Sequence, residues 1–174
     1  IEVIGFFYIC KFDILFVESE RSSMDISFEK GISKDNALLL CEWSNKMGRE
    51  FQEQWMGAKV SYPLSYDKIK ELENTFSIFT QGQFIGMIQK VRIDKDNIHI
   101  GRFVLDPERT GSGLGTAALR KFMDFIFEDT DIKSISLSVF DFNQNAKRVY
   151  EKLGFEIAEV IETPKLKYTM KKIR

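Results

Sequence analysis

A glycine-rich turn between an apolar strand and an amphipathic helix constrains this chain more than any other feature. The apolar run 98–105 reaches Asp106-Pro107, glycines follow at positions 111, 113 and 115, and apolar residues then recur at 118, 119, 122, 125 and 126. These patterns predict a strand, a turn and a helix. Closely spaced glycines at a helix start let the backbone approach a ligand, and the unpaired N–H groups there favour negative charge. The turn therefore predicts a site for a phosphate or diphosphate.

A tight turn without any ligand is the alternative interpretation of the same residues. Neither familiar nucleotide-binding pattern fits, because no Lys-Ser/Thr pair follows the glycines and their spacing is G-x-G-x-G, not G-x-G-x-x-G. A second feature has to decide between the two interpretations.

Composition excludes several classes of protein. The net charge of the 174 residues is −1, and Lys and Arg are scattered except near the C-terminus, which argues against nucleic acid as a partner. Two cysteines, Cys10 and Cys41, and the single His99 provide neither a disulfide framework nor a metal-ligand cluster. We therefore expect one globular domain in a reducing cytoplasm, with no metal.

Residues 1–23 differ from the rest and are predicted to be an appended apolar segment. Charged residues interrupt the apolar run 1–17, which is short for a membrane span, and it lacks the basic start and small-residue cleavage site of a signal peptide. We therefore expect no membrane association. The domain proper is predicted to begin at Met24, and the segment is hypothesised to add a strand or to pack on a neighbouring chain.

Hydrophobic periodicity predicts one α+β domain over residues 24–174. Strands are predicted over 25–30, 76–80, 84–93, 98–105, 134–139, 155–161 and 166–170, and helices after Ser33, early in 49–66, over 67–74, after the glycine turn and over 143–153. The strand–helix–strand unit across 98–139 should be a parallel crossover, and the other neighbours antiparallel. The aromatic-rich segment 49–66 is predicted to be core, with one wall of a substrate pocket as the alternative.

A second motif lies one crossover downstream of the glycine turn. Residues 143–155 fit the pattern N-x-x-A-x-x-x-Y-x-x-x-G-F, and with the loop 110–115 they resemble the two signatures of the GNAT superfamily of acyl-CoA-dependent N-acyltransferases. The resemblance is specific over 103–155. One position departs from the family pattern, which begins with Arg or Gln where this chain has Thr110, while Arg109 lies one residue earlier.

The resemblance implies a sheet with helices on both faces and a V-shaped splay between residues 103–105 and 137–139. Backbone groups at the splay would lack partners, and the amides of the pantetheine arm of coenzyme A would fill the gap like an added strand. A backbone N–H at Val104 or Leu105 would stabilise the oxyanion. The residues implied to bind acetyl-CoA are Phe103, Val104, Leu105, Arg109, Thr110, Gly111, Ser112, Gly113, Leu114, Gly115, Thr116 and Asn143.

The family mechanism is direct attack by an amine, and it implies that Tyr150 is the general acid for the leaving thiolate. An unperturbed tyrosine has a pKa near 10, comparable to that of a thiol. Packing of Tyr150 on its helix face is the alternative. The general base stays open: His99 lies on the strand before the turn, where a bulge at Gly101 would decide its face, and Glu50 or Glu53 could act through water.

The resemblance implies an acetyl-CoA-dependent N-acetyltransferase that acts on the primary amine of a small molecule or peptide. Substrate choice is expected in 49–66, in the turn 94–97 and in the final hairpin. A non-catalytic acyl-CoA sensor on the same fold is the alternative, and an unrelated interaction domain is a third. Dimers are common in the family, so a homodimer is compatible with the sequence.

Overall fold

The computed structural model describes residues 25–109 and 111–174, so the segment 1–23, its boundary at Met24 and Thr110 lie outside the described residues. The strands are β1 (Ile26–Lys30), β2 (Thr75–Thr80), β3 (Gln83–Asp94), β4 (Asn97–Leu105), β5 (Ser134–Phe140), β6 (Glu156–Ile161) and β7 (Lys167–Ile173). The helices are α1 (Lys34–Met47), α2 (Arg49–Met56), α3 (Tyr66–Lys70), α4 (Leu114–Phe127) and α5 (Gln144–Lys152), with a 3-10 turn at Pro107–Arg109.

The described strands form one mixed sheet in the order β1-β2-β3-β4-β5-β7-β6. Neighbours β4 and β5 run parallel, and every other neighbouring pair is antiparallel. Helix α4 supplies the long connection that a parallel pair requires. The predicted mixed, mostly antiparallel α+β sheet is confirmed.

Helix α4 packs on the sheet through most of the stripe that its sequence predicts, with Phe125 of that stripe left 38% exposed. The ring centroid of Phe122 lies 5.1 Å from that of Phe28 on β1 and 5.2 Å from that of Phe76 on β2. Residues three and four apart share one face of a helix, so this stripe is continuous. Its buried members are Ala118, Leu119, Phe122, Met123 and Ile126. The packing holds the start of α4 next to the end of β4.

Helices α1 to α3 cover the opposite face of the sheet. Leu40 and Trp55 belong to a second hydrophobic cluster that includes Met87 of β3 and Val104 of β4. Within it, the Trp55 indole N–H donates a hydrogen bond to Ser44 Oγ over 3.3 Å. The helices therefore lie on both faces, as the family resemblance implies.

Helix ends follow the signals in the sequence. Ser33 Oγ accepts the N–H of Asn36 over 3.2 Å and caps α1, as its residue type favours. The helix predicted over 67–74 is shorter, ending at Lys70, and Asn74 instead has a left-handed φ of 52° just before β2. Among helices in the described ranges, none combines the length and apolarity needed to cross a membrane.

Candidate functional site

Strands β4 and β5 part along their length. They pair at Asn97 with Ser134, Ile98 with Ile135 and His99 with Ser136, and the parallel pairing ends there. Residues 100–105 of β4 therefore have no partner on β5, while β5 continues to pair with β7 as far as Phe140. This opening is the V-shaped splay that the resemblance implies, with His99 at its apex.

A β-bulge in β4 lies beside the opening. Met87 pairs with Val104 and Gln89 with Gly101, so Arg102 and Phe103 together oppose one residue of β3. Arg102 adopts a φ of 45°, which is uncommon for a residue other than glycine. Bulges bend a strand and change the direction of its side chains. Here the bulge turns β4 where it separates from β5.

A cavity of about 490 Å³ occupies the splay and reaches both faces of the sheet. One face contributes Phe51, Gln54, Trp55, Met56 and Gly57, and the other contributes Leu119, Ala146, Val149 and Tyr150. Between them lie residues of β4 and β5, including His99, Arg102, Phe103, Val104, Leu105, Leu137, Ser138 and Val139. Because the strands are parted, ligands bound from opposite faces can meet inside one cleft.

The glycine turn presents backbone N–H groups at the start of α4. Gly111 and Gly113 have φ values of 84° and 81°, conformations that glycine adopts without strain. Gly113 is the N-cap residue and offers no side-chain cap, so the first N–H groups of the helix stay available to an anion. A Cβ at Gly115 would lie 3.7 Å from Leu105 Cδ1, which shows how closely the turn approaches β4.

The predicted coenzyme-binding residues fall into two groups. Phe103, Val104, Leu105, Gly115 and Asn143 line the cavity. The other described members do not line it and belong to the neighbouring turn and helix start: Arg109, Gly111, Ser112, Gly113, Leu114 and Thr116. Thr110 lies outside the described residues.

Two side chains of the turn are engaged within the protein. Arg109 donates from Nη2 to Gln83 Oε1 over 2.7 Å, and its Nε lies 3.6 Å from Asp106 Oδ2. Ser112 donates from Oγ to the carbonyl of Arg109 over 2.9 Å. Any anion at this turn would therefore meet mainly backbone donors.

Tyr150 lies on α5 and lines the cleft, as the general-acid hypothesis requires. Its ring meets Phe155 edge-on at a centroid distance of 6.1 Å. Burial raises the pKa of its hydroxyl to about 12, because the phenolate loses solvation in the cleft. The group is therefore protonated throughout the ordinary working range of pH.

Asn143 caps α5 and also faces the cleft. Its Oδ1 accepts the N–H of Ala146 over 3.2 Å, and its Nδ2 lies 3.5 Å from Gln54 Oε1 on α2. This long contact bridges the two helical layers across the cleft. The amide therefore lies where both faces of the sheet are accessible.

His99 also lines the cleft, which settles the face that the sequence left open. Its Nδ1 lies 2.9 Å from Ser136 Oγ, and Ser136 in turn accepts from Asn97 Nδ2 over 3.0 Å. Burial lowers the pKa of the imidazole, and the positive charges of Arg92 and Lys167 lower it further, against the opposing charge of Asp94. The ring is therefore neutral at pH 7.

The other candidate bases do not lie in the cleft. Glu50 and Glu53 are absent from its lining, and Glu53 instead pairs with Lys165 over 3.0 Å. Of the segments expected to select the substrate, Phe51, residues 54–57 and Lys167 of the final hairpin line the cavity, and the turn 94–97 does not. Trp55 belongs to the hydrophobic core and to the pocket wall at once.

Arg102 and Lys167 are cleft residues that sequence reasoning missed. A signal was present for Arg102, since it is the one charged residue between His99 and Leu105 in an apolar strand. No comparable signal marks Lys167 among the charged residues of its hairpin. Within the described ranges, no group of three His, Cys, Asp or Glu side chains is arranged to hold a metal ion.

Comparison with curated proteins finds several N-acetyltransferases. Spermidine N(1)-acetyltransferase of Escherichia coli K12 is 30% identical over 99 residues, which cover 53% of this chain and 51% of that enzyme. Aminoglycoside N(6')-acetyltransferase type 1 of Klebsiella pneumoniae is 32% identical over 154 residues, covering 76% and 75%. The chain thus spans about half the length of the first relative and three quarters of the second.

Solved structures share the fold, and a family model identifies it. Aminoglycoside acetyltransferase AAC(6')-Ib in complex with coenzyme A has a TM-score of 0.67 at 22% identity, covering 86% of this chain and 95% of that one. Spermidine N-acetyltransferase of Vibrio cholerae in complex with CoA and spermine has a TM-score of 0.70 at 16% identity, covering 85% and 95%. The model of the acetyltransferase (GNAT) family matches residues 39–155. The motif at 143–155, the splayed sheet and this match lead to one conclusion: the chain belongs to the GNAT family of acetyltransferases.

Proposed function

We propose that this protein transfers the acetyl group of acetyl-CoA to a primary amine. The observation that carries the proposal is the cleft in the splayed sheet, which brings an unpaired strand edge, a neutral imidazole and a buried phenol into one cavity open to both faces. Relatives named for acetylation of spermidine and of aminoglycosides support an amine as the acceptor class.

The coenzyme side of the proposal depends on backbone groups. The N–H of Asp106 donates to the carbonyl of Ile85 over 2.8 Å, toward β3. Because successive residues of a strand direct their N–H groups to opposite sides, Leu105 directs its own toward the cleft. The start of α4 would hold the diphosphate, and the bound coenzyme would supply an acetyl thioester activated for attack by nitrogen.

Three groups of the chain then carry the transfer. His99 accepts a proton from the attacking amine at Nε2, provided that its Nδ1–H donates to Ser136 Oγ. The Leu105 N–H stabilises the negative charge that develops on the thioester oxygen, a role for which it is favoured over Val104. Tyr150 donates its proton to the sulfur as the new C–N bond replaces the C–S bond.

The raised pKa of Tyr150 is compatible with this role. In water a thiol has a pKa near 8.5, so a solvated thiolate would be too weak a base to take a proton from a phenol with a pKa of about 12. The departing sulfur would, however, lie in the same cleft, where the loss of solvation also raises the pKa of a thiol. The two groups are therefore closer in acidity than a comparison of the buried phenol with a solvated thiol suggests.

Coenzyme A alone should stabilise the protein. At a free concentration 100 times its dissociation constant, a ligand of the folded state adds about 2.7 kcal/mol to the free energy of unfolding, which raises Tm by roughly 5–10 °C for a chain of this size. Introducing Ser112→Asp should lower the affinity for coenzyme A about tenfold, since a carboxylate next to the diphosphate would repel it. Calorimetric titration and thermal unfolding measure both effects.

Ser112→Asn is the matched control for Ser112→Asp, because asparagine has nearly the same size as aspartate and carries no charge. A carboxylate near a helix N-terminus does not weaken the helix, so the aspartate variant should fold normally. Equal affinities for coenzyme A in the two variants would contradict a diphosphate site at this turn.

The pH dependence should contain a limb that belongs to His99. Its pKa lies below 6.5, so the imidazole is protonated and inactive as a base at low pH and becomes active as pH rises through that lowered value. We expect kcat/KM, which reports the groups of the free enzyme, to rise with pH through a midpoint below 6.5 and to show no decline from Tyr150 ionisation up to about pH 11. Steady-state rates measured from about pH 4.5 to about pH 11 give this profile.

Ionisation of the acceptor amine adds a second limb, which has to be separated from the first. Two acceptors whose amines differ in pKa should move the second limb and leave the His99 limb in place. His99→Gln should lose the low-pH limb. If the limb persists in that variant, His99 is not the base.

A further inference from the structure

The charge of the cleft is opposite to what a polycationic acceptor requires. Two cationic side chains line it, Arg102 and Lys167, beside the neutral imidazole of His99, and no Asp or Glu is among the described residues that do so. A polyamine cation in such a cavity would meet positive charge with no carboxylate to compensate it. The lining therefore favours an acceptor that brings negative charge of its own.

Arg102 is the centre of this positive charge. It lies in the β4 bulge with a φ of 45°, and strain of this kind persists only where the surrounding structure holds it. Its Nη1 donates to Gln89 Oε1, and Gln89 is itself fixed by donation from Nε2 to the carbonyl of Glu73 over 2.7 Å. The guanidinium is thus held in place by a neutral partner.

The charge of Arg102 is not neutralised within the described part of the chain. No ion pair joins it to a carboxylate there, and its Nε is buried without a hydrogen-bond partner. Burial lowers its pKa, and no carboxylate raises it. Guanidinium groups bind carboxylates with two parallel hydrogen bonds, so a half-buried Arg102 that lines the cleft without a carboxylate partner suits an anionic substrate group.

Lys167 adds a second positive charge on the other side of the opening. It lies on β7 next to Phe140 of β5, and both line the cleft. Lys165, two residues earlier, is paired with Glu53, whereas Lys167 has no ion-pair partner among residues 25–109 and 111–174. The charge of Lys167 also reaches the apex of the cleft, where it lowers the pKa of His99.

We propose that the acceptor is an amine that also carries a carboxylate, as an amino acid or short peptide does, and that Arg102, aided by Lys167, binds this carboxylate in the cleft. The inference rests on the proposed acetyl transfer and names its substrate class. The neutral wall of Phe51, Gln54 and Trp55 would contact the body of such a molecule. This substrate class differs from spermidine and the aminoglycosides, for which two of the relatives are named.

The test compares each carboxylate with its neutral amide. Acceptors are an amino acid and its amide, a dipeptide and its C-terminal amide, and spermidine as the polycation, each assayed with acetyl-CoA. We expect kcat/KM to be about 10- to 100-fold higher for a carboxylate than for its amide, the range of a charge-assisted hydrogen bond. Comparison of the amino acid pair with the dipeptide pair shows whether the carboxylate of a free amino acid or that of a short peptide is preferred.

Arg102→Met should remove this preference, chiefly by raising KM for the carboxylate forms while KM for the amides changes little. Lys165→Met is the control, since Lys165 pairs with Glu53 and does not line the cleft, and it should keep the preference. Lys167→Met should reduce the preference less than Arg102→Met. Circular dichroism and Tm establish that each variant is folded, and Lys167→Met tests the site should Arg102→Met fail to fold.

Binding provides a readout that is independent of turnover. Calorimetry on the coenzyme A-loaded protein compares the N-acetylated dipeptide with its C-terminal amide, and tighter binding of the carboxylate form, lost in Arg102→Met, supports the site. Equal binding of the two forms, or a preference for spermidine that Arg102→Met leaves unchanged, overturns it. Absence of turnover with every amine would overturn the proposed function, while the binding comparison would still decide on the carboxylate site.

Discussion

Replacing Tyr150 by phenylalanine is expected to lower kcat by about 10²- to 10³-fold while the affinity for acetyl-CoA stays within about twofold. The substitution removes one hydroxyl and keeps the ring, which packs edge-on against Phe155. The substitution should therefore slow the departure of the sulfur, which needs a proton, and leave the binding of acetyl-CoA unchanged. Release of free thiol measures kcat, and calorimetric titration measures the affinity.

Tyr168→Phe is the matched control for this experiment. Its hydroxyl donates to Asp141 Oδ1 over 2.7 Å, and Tyr168 does not line the cleft. That variant loses the same atom from another tyrosine of the fold, and kcat should change by less than about threefold. A Tyr150→Phe enzyme that keeps full kcat would show that the phenol serves only packing.

Gly86→Ala should destabilise the fold by about 3 kcal/mol and lower Tm by roughly 6–12 °C. A Cβ at Gly86 would lie 2.1 Å from the backbone oxygen of Val104 and 2.9 Å from Leu105 Cα. Both are main-chain atoms of β4, so relief requires β3 and β4 to move apart. Thermal or urea unfolding of the variant measures this loss in the free energy of unfolding.

The clash of a Cβ at position 86 with β4 should affect the site as well as stability, because residues 104 and 105 line the cleft. We therefore expect the affinity for coenzyme A to fall with Tm in Gly86→Ala. Gly115→Ala gives the opposite expectation for stability: its Cβ would meet only Leu105 Cδ1 at 3.7 Å, and alanine in place of glycine within α4 should stabilise by about 0.5–1 kcal/mol. Equal Tm values for the two variants would contradict this account of close approach.

The sequence predicts most of the fold because its local signals agree with the tertiary structure. The stripe of α4 has helical spacing and is buried on the sheet at Ala118, Leu119, Phe122 and Ile126, while Phe125 is 38% exposed. Ser33 caps a helix and Gly154 follows one with a left-handed φ of 86°. Each of these elements depends on a few neighbouring residues, so its pattern is visible in a short window of sequence.

The cleft could be predicted only in part, since its walls depend on strand pairing over long separations. The motifs place Tyr150 and Asn143 there, but simple alternation along β4 fails at the bulge, where Arg102 and Phe103 oppose one residue of β3. The face of His99 follows from its pairing with Ser136, 37 residues later. Lys167 enters the cleft because β7 pairs with β5, which no local pattern reveals.

The opening of the cavity to both faces of the sheet separates two tasks within one small domain. Substitutions on α2 at Phe51 or Gln54 would reshape the proposed acceptor wall without touching the glycine turn, which lies across the sheet at the start of α4. Natural variation can therefore retarget such an enzyme to new amines while its donor chemistry is inherited intact. The same division suggests an inhibitor design, because a conjugate of coenzyme and acceptor would pass through the gap between β4 and β5 and bind on both faces of the sheet.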